Sequence, residues 1–531
     1  MTNSAKQPCD EAVIGSRTDV KDCAESIGRW VLAAAILGSS ISFIDGTVVN
    51  VALPILQRDL DATVGQTQWV VESYALMLSA LILVGGSLGD IFGRKKIFSL
   101  GVLLFGIASV LCGLAQDANQ LIVARGVQGI GAAMLVPGSL ALISANFSKK
   151  KRGRAIGTWS GVTAIAAGVG PVLGGWLIET FSWRWIFFLN VPLVVAVLLI
   201  TIFRVPESRD DDGPTRVDWL GAGLATIGLG GLVFGLIESN SLGFRSQIVI
   251  SSLIIGTLSI AGFIFIESRI KNPMMPLGLF KSPAFLGSNL LTLFLYAALS
   301  GLMFFLPFNL IQVQGYGPTK AGAALVPFII TMFVLSRWAG GLVDRFGSKL
   351  PLTVGPFIAA CGFALFALPG ADGASYWTTY FPAVMVMSLG MSIAVAPLTT
   401  TVMGAVESKH AGTASGINNA VSRTAGLIAV AAFGVVLVMS FEKRFVSEIN
   451  SMQLSPGIQG QLLAQSTRLV EIKIPEAVSP DQASVITQSI RNSFVSGFRI
   501  VTIISAVLAV LSSLVAWVLI PGKIREGKSQ E

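Results

Sequence analysis

Gly86-Ser-Leu-Gly-Asp-Ile-Phe-Gly-Arg-Lys-Lys96 joins two long apolar runs with a short stretch dense in glycine and positive charge. A second copy, Gly341-Leu-Val-Asp-Arg-Phe-Gly-Ser-Lys349, stands at the corresponding place in the second half. Asp90 aligns with Asp344, Phe92 with Phe346, Gly93 with Gly347 and Lys95 with Lys349. A tight basic turn repeated between apolar helices indicates a two-fold-repeated membrane transporter.

The rest of the chain agrees. Of its 531 residues, 53% are hydrophobic and 12% charged, where a soluble protein is about 25% charged. Apolar runs of spanning length recur from end to end, each able to cross roughly 30 Å of hydrocarbon as a helix of about 20 residues. No ten-residue alternation points to a membrane barrel. The net charge of +8 would raise nucleic-acid binding in a soluble protein. Here the basic residues fall in alternate short loops, so no nucleic-acid partner is expected. Cys9, Cys23, Cys112 and Cys361 show no CxxC or Cys/His spacing, so neither a disulfide set nor a metal is expected. The single histidine, His410, reads as a solvated loop residue beside Glu407 and Lys409.

Fourteen spans are expected, at about 29–50, 67–88, 97–115, 121–145, 154–178, 184–203, 217–238, 247–267, 285–311, 321–343, 350–369, 377–403, 412–440 and 494–520. With fourteen, Arg94-Lys95-Lys96, Lys149-Lys150-Lys151-Arg152, Arg204, Arg209, Arg216, Arg269, Lys281, Arg345, Lys349 and Lys523 share one side. Both termini are then cytoplasmic. Because the turn recurs after helix 10, the second six-helix unit starts at helix 9, and helices 7 and 8 are an insert. The expected layout is a tail at 1–28, a six-helix bundle at 29–203, a linker with two extra helices at 204–284, a second bundle at 285–520 and a tail at 521–531. The second bundle includes an outer non-membrane segment at 441–493, whose apolar pairs suit short amphipathic helices.

Ionisable residues inside apolar runs are the functional candidates, since a charge at the bilayer centre costs at least about 2.5–3.5 kcal/mol. Asp45, Glu72 and Arg125 fall at a similar depth, roughly 7–12 Å outside the midplane. One guanidinium among two carboxylates balances ionisation against protonation, which suits reversible proton binding. A static ion pair, or Glu72 at the interface, fits the same pattern. Arg423, in Asn418-Asn419-Ala-Val-Ser-Arg423, has no carboxylate on its own helix and is read as facing a central cavity or a carbonyl network. Phe305 and Asn309 in helix 9 belong to a Met and Phe stripe that either lines a cavity, with Glu72 if it too faces there, or else faces lipid or packs a neighbouring helix.

Two glycine patterns remain. Gly161-Val-Thr-Ala-Ile-Ala-Ala-Gly168-Val-Gly170-Pro171-Val-Leu-Gly174-Gly175 permits close helix approach and a bend. It reads either as ordinary packing or as a pliable helix between moving halves. In the basic turn, Gly86, Asp90, Gly93, Arg94 and the second copy's Asp344 read as a conformational latch, with Asp90 accepting from a helix N-terminus or an arginine.

These residues resemble the major facilitator superfamily, in its fourteen-helix drug:proton antiporter branch. Gly86 to Lys96 is similar to the helix 2–3 signature, and Phe43-Ile-Asp45-Gly-Thr-Val-Val-Asn50-Val-Ala-Leu-Pro54 to the helix 1 signature. Leu121-Ile-Val-Ala-Arg125-Gly126-Val-Gln128-Gly129 resembles the helix 4 signature, and Gly168 to Gly175 the antiporter signature of helix 5. The second turn departs from the pattern with Ser348 in place of Arg94. The resemblance implies an all-α fold of two six-helix bundles plus two central helices. It implies a non-enzymatic, monomeric transporter in a bacterial cytoplasmic membrane, without cofactor. It would exchange protons for lipophilic or cationic small molecules, with Asp45, Arg125 and Glu72 in proton coupling. Export of an endogenous metabolite or lipid is the neighbouring alternative, and a non-transporting sensor or scaffold the distant one.

Overall fold

The computed structural model describes residues 23–147, 149–209, 218–270, 273–371, 373, 375–406, 411–452 and 454–522. The side chains of 23–26, 149–154, 164, 336–337, 344 and 411–412 are outside the described set. The expected latch residue Asp344 and the loop residue His410 therefore lie outside it.

The long helices follow the apolar runs. They are α1 (Cys23–Asp59), α2 (Val64–Phe92), α3 (Arg94–Leu114), α4 (Ala118–Asn146) and α5 (Lys149–Thr180). Next come α6 (Trp185–Arg204, broken at Leu189), α7 (Trp219–Leu242), α8 (Gln247–Glu267) and α9 (Pro283–Val313, ending in a π-helical turn from Asn309). The last five are α10 (Val326–Gly340, led by a turn at Pro318–Ala323), α11 (Lys349–Leu365), α12 (Tyr380–Gly404), α13 (Ala411–Ser451) and α14 (Pro480–Leu519). Among the described residues thirteen helices are long and apolar enough to cross a membrane, and α11 is a shorter apolar helix. Its 17 residues span about 26 Å.

Local chemistry sets the helix starts. Thr63 and Gln66 form a reciprocal capping box on α2. Asp117, Asp218, Ser282 and Ser479 cap α4, α7, α9 and α14 through their side chains. Gly93, at φ +111°, ends α2 and starts α3 without a linker.

Helices α1–α6 pack among themselves, as do α9–α14. The inserted helices α7 and α8 pack against each other, and α7 also lies on both α2 and α13, one from each half. Gly231 and Gly256 let the α7 and α8 backbones meet: an added Cβ on Gly231 would lie 2.8 Å from the Ser252 carbonyl.

The expected outer segment at 441–493 is largely helical continuation of two spans. Phe441, Phe445 and Ile449 repeat every fourth residue and are all buried, so α13 keeps an inward apolar stripe past its membrane run. Arg444 and Glu448 pair at 2.7 Å on its polar side. Ile486, Ile490 and Phe494 do the same for α14. Only 452–479 leaves these helices, and its Leu462, Leu469 and Ile472 are buried against the same core.

Candidate functional site

Asp45 of α1 and Arg125 of α4 meet at 2.5 Å, both essentially without solvent exposure. Asp45 makes three hydrogen bonds. Arg125 Nη1 donates to Oδ2, while Gln128 Nε2 and Asn190 Nδ2 donate to Oδ1 at 2.9 and 3.1 Å. Arg125 also donates through Nε to the Val70 carbonyl at 3.0 Å and through Nη1 to Gln128 Oε1 at 2.7 Å. Its guanidinium carbon lies 4.3 Å from the Tyr74 ring centroid. Ser109 accepts from Asn190 and donates to the Phe187 carbonyl. Five helices thus contribute to one polar network around the carboxylate, as burial of such a pair requires, although Asn190 Oδ1 has no partner among the described residues. Gln128 and Asn190, which bond this carboxylate, and Ser109, which accepts from both of them, were not among the site residues expected from sequence. The Arg125–Gln128 spacing of one helical turn was the readable signal for one of them.

Glu72 does not join this pair. It is buried, and its Oε2 has no hydrogen-bond partner among the described residues. Its helical neighbours show where it sits. Gln68 donates to the Val430 carbonyl of α13 at 2.8 Å, and Trp69 to Glu238 of α7. Leu76 packs with Leu229, Val233 and Leu427. Glu72, between them on α2, therefore lies at the seam with α7 and α13.

Phe305 and Asn309 are also core residues and line none of the described cavities. Phe305 stacks edge-on against Phe304 at 4.7 Å, and Asn309 accepts from the Tyr380 hydroxyl at 2.7 Å. Helical periodicity marked their face but not the helix that covers it. Arg423 is half-buried, with its Nε buried and unpartnered among the described residues.

The glycines of α5 serve two contacts. A Cβ on Gly170 or Gly174 would overlap Thr47 or Val48 of α1, and one on Gly168 would overlap Ile329 of α10. Gly175 lies against the Pro318 carbonyl, and Gly322 against the carbonyl of Pro171. Nearer the basic turn, Gly157 and Gly161 of α5 have open space. An apolar cleft of about 560 Å³ runs between α5 and α10, lined by Ile165, Val169, Trp176, Ile330 and Phe333.

At the end of the bundle away from the basic turns the halves are bridged. Asp61, between α1 and α2, accepts from Arg468 at 2.6 Å and Lys473 at 2.9 Å. These two donors hold its carboxyl down at about 2. Gln57 donates to the Arg468 carbonyl, and Gln312 donates to both Gln57 and Glu471. Burial raises the Glu471 carboxyl above its ordinary range, against the opposing charge of Arg58. A cavity of about 640 Å³ lies here, lined by Arg58, Glu179, Trp183, Gln312 and Glu471 among others.

In the basic turn, Arg94 donates to Asp90 at 2.9 Å. The N-terminus of α3 is satisfied by a different carboxylate: Glu207 accepts from the Lys95 and Lys96 backbone N–H groups at 2.9 and 3.1 Å. Gly86 has only one ordinary contact, with Pro137, whereas Gly85 lies against the Ala133 backbone. In the second copy, Gly347 at φ +71° lies against the carbonyl of Gly522, just after α14.

Residues 35–430 match the family model of the Major Facilitator Superfamily. A multidrug resistance protein, Stp, of Mycobacterium tuberculosis (strain CDC 1551 / Oshkosh) is 34% identical over 76% of this chain and 75% of its own. A tetracenomycin C resistance and export protein of Streptomyces glaucescens is 28% identical over 91% of this chain and 90% of its own. Among solved structures, a bacterial homolog of the human lysosomal transporter Spinster, inward-facing and unoccupied, aligns with a TM-score of 0.62. It is 18% identical and covers 92% of this chain and 98% of its own.

Proposed function

The chain belongs to the Major Facilitator Superfamily, and from that premise we propose that it is a proton-coupled antiporter exporting lipophilic small molecules across the cytoplasmic membrane. The observation that carries the reading is the buried Asp45–Arg125 pair, a titratable carboxylate held inside the membrane helices. Ionised, Asp45 is held by Arg125, Gln128 and Asn190. Protonated, it loses most of its attraction for Arg125, and the network relaxes. Two states of one buried network, each favoured in a different arrangement of the bundles, are what coupling requires. The relatives with resistance and export in their names support the outward direction. The apolar α5–α10 cleft supports lipophilic cargo.

The basic turns are assigned to the cytoplasmic side on the loop charges, with both termini there. The bridge at Asp61 would then close the outer side. The protein acts as a monomer with no cofactor, driven by the proton gradient. A preference for cations rested on Glu72 facing a cavity, and its place in the α2–α7–α13 seam gives that no support.

Full-length protein in proteoliposomes with an internal pH dye tests the proposal. Adding a lipophilic resistance compound such as puromycin should move protons, and Asp45→Asn should not. Substrate flux with no proton movement in the wild type would reject antiport.

A further inference from the structure

Two carboxyl groups meet where the inserted helix pair begins and ends, on helices apart from the Asp45 network. Asp218 caps α7, and Glu267 is the last residue of α8. Each uses one oxygen to accept from a backbone N–H. Asp218 Oδ1 accepts from Gly221 at 2.8 Å, and Glu267 Oε2 accepts from Met275 at 2.9 Å. The other two oxygens, Asp218 Oδ2 and Glu267 Oε1, are buried and have no donor among the described residues. Glu267 as a whole is 2% exposed.

The two free oxygens converge on Gly221. A Cβ there would lie 2.4 Å from Asp218 Oδ2 and 3.1 Å from Glu267 Oε1. The side chains are within hydrogen-bonding reach of each other. Two ionised carboxylates only accept, so neither satisfies the other, and at this range their charges repel. Among the described residues no cation offsets them. Arg269, two residues after Glu267, lies over the Phe265 ring at 5.2 Å, and neither it nor Lys281 forms a described ion pair with either carboxyl. Arg216 and Lys271 lie outside the described residues. A divalent metal fits poorly: one oxygen from each carboxyl falls short of the roughly six oxygens that Mg²⁺ or Ca²⁺ takes, and burial excludes the water that would complete the shell. A proton needs only these two atoms.

We propose that Asp218 and Glu267 hold one proton between them, forming a second proton site separate from Asp45 that clasps the α7–α8 insert to the segment entering the second half. With the proton in place, one carboxyl donates to the other. Asp218 then ties down the start of α7, and Glu267 the end of α8 together with Met275, just ahead of the turn Leu277–Lys281 that leads into α9. Because α7 lies on both α2 and α13, the clasp bears on how the two halves move. Loss of the proton as pH rises leaves two like charges in contact and opens it. Its placement on the cytoplasmic side rests on the transport reading; the shared proton does not.

The test uses purified full-length protein in detergent. The wild-type minus Glu267→Gln infrared spectrum should contain the C=O band of a protonated carboxyl, shifted in D₂O, and the band should fade as pH is raised from about 5 to 10. Spin labels on Leu220, exposed in the first turn of α7, and on Gly278, where a Cβ meets nothing within 4 Å, should move apart over the same titration. Glu267→Gln keeps an acceptor for Met275 and puts an amide N–H where the shared proton was. Its label distance should therefore match that of the low-pH wild type at every pH. Asp218→Asn makes the same exchange from the other side, and carries the test should Glu267→Gln fail to fold. Absence of the band, a wild-type distance that ignores pH, or a distance in both amide variants that follows pH as the wild type does overturns the proposal. A distance that responds to EDTA or added Mg²⁺ at fixed pH does so too, since a metal would then hold the pair. Neither readout needs transport. Substrate flux without proton movement would reject antiport and leave this site standing, whereas a missing band would reject this site and leave antiport standing.

Discussion

The carboxylate of Glu207 lies against Gly93, so close that a Cβ on Gly93 would stand 2.8 Å from it. That carboxylate caps α3, and Gly93 at φ +111° makes room for it. The second half repeats the arrangement with Gly347 against Gly522, in the segment that follows its own last helix. Val205-Pro206-Glu207 and Ile520-Pro521-Gly522 match in register, so one repeat has a carboxylate where the other has only a backbone carbonyl. The two basic turns are therefore alike in backbone and different in charge.

Gly93→Ala should be damaging, because it combines a left-handed backbone with a clash; about 1–3 kcal/mol of strain is expected. Gly85→Ala should also be damaging, through the Ala133 backbone. Gly86→Ala should be neutral or slightly stabilising, by up to about 1 kcal/mol of helix propensity. Thermal unfolding of the three purified variants checks the order. A melting temperature for Gly86→Ala as low as that of Gly93→Ala would contradict it.

Asp45→Asn should abolish substrate-driven proton movement and also lower stability, because it leaves Arg125 buried without its counter-charge. Breaking such a pair costs about 3–5 kcal/mol. The double variant Asp45→Asn/Arg125→Gln should regain much of the stability and none of the coupling. Melting temperatures and the pH-dye assay measure the two effects separately. Normal coupling in either variant would remove Asp45 from the mechanism.

Glu72→Gln tests the seam placement. A buried carboxylate oxygen without a partner is unfavourable, so the amide should match or exceed the wild-type melting temperature. Export of matched cationic and neutral compounds should change by the same factor. A selective loss of cation export would return Glu72 to the substrate path.

Much of this was readable because it is local or costly. The turn at Gly86–Lys96 fixes its conformation by its own glycines, and the repeat of Asp90 and Gly93 at Asp344 and Gly347 exposed the two-fold design. Asp45 and Arg125 stood out because charge is rare in such helices. Asn190 and Ser109 did not, since an uncharged polar residue carries no comparable cost and their contact depends on how α3 and α6 cross α1. Glu207 fell in a stretch read as linker, and only the fold brings it to α3. Phe305 and Asn309 show the limit of periodicity, which identifies a face without saying whether a cavity or another helix meets it.

The Asp61 bridge should be insensitive to pH in the physiological range. Its carboxyl titrates at about 2, below its ordinary 3.8, through donation by Arg468 and Lys473. A lowered value means that the contribution is complete above 3.8 and is lost as pH falls through about 2. Spin labels on exposed Gln116 and Gln461, one in each half, should therefore show one distance distribution from pH 5 to 8. Asp61→Asn should broaden it toward longer distances. A marked change between pH 5 and 8 in the wild type would show that another group controls this end.

The α5 glycines make the last test, because their contacts divide along the helix. Gly175 meets the backbone of Pro318 and Thr319, with a Cβ placed 2.5–2.7 Å from them, whereas Gly157 meets nothing within 4 Å. Backbone cannot rotate away as a side chain can, so Gly175→Ala must push α10 from α5 at the bridged end. Overpacking of this kind costs about 1–3 kcal/mol and falls only on the state in which those helices touch, which shifts a two-state equilibrium by about 5- to 150-fold. Gly175→Ala should move the Gln116–Gln461 distance toward the separated form even with Asp61 intact, and Gly157→Ala should leave it unchanged. Equal behaviour of the two variants would mean that α5 is a static packing helix rather than the surface on which the halves part.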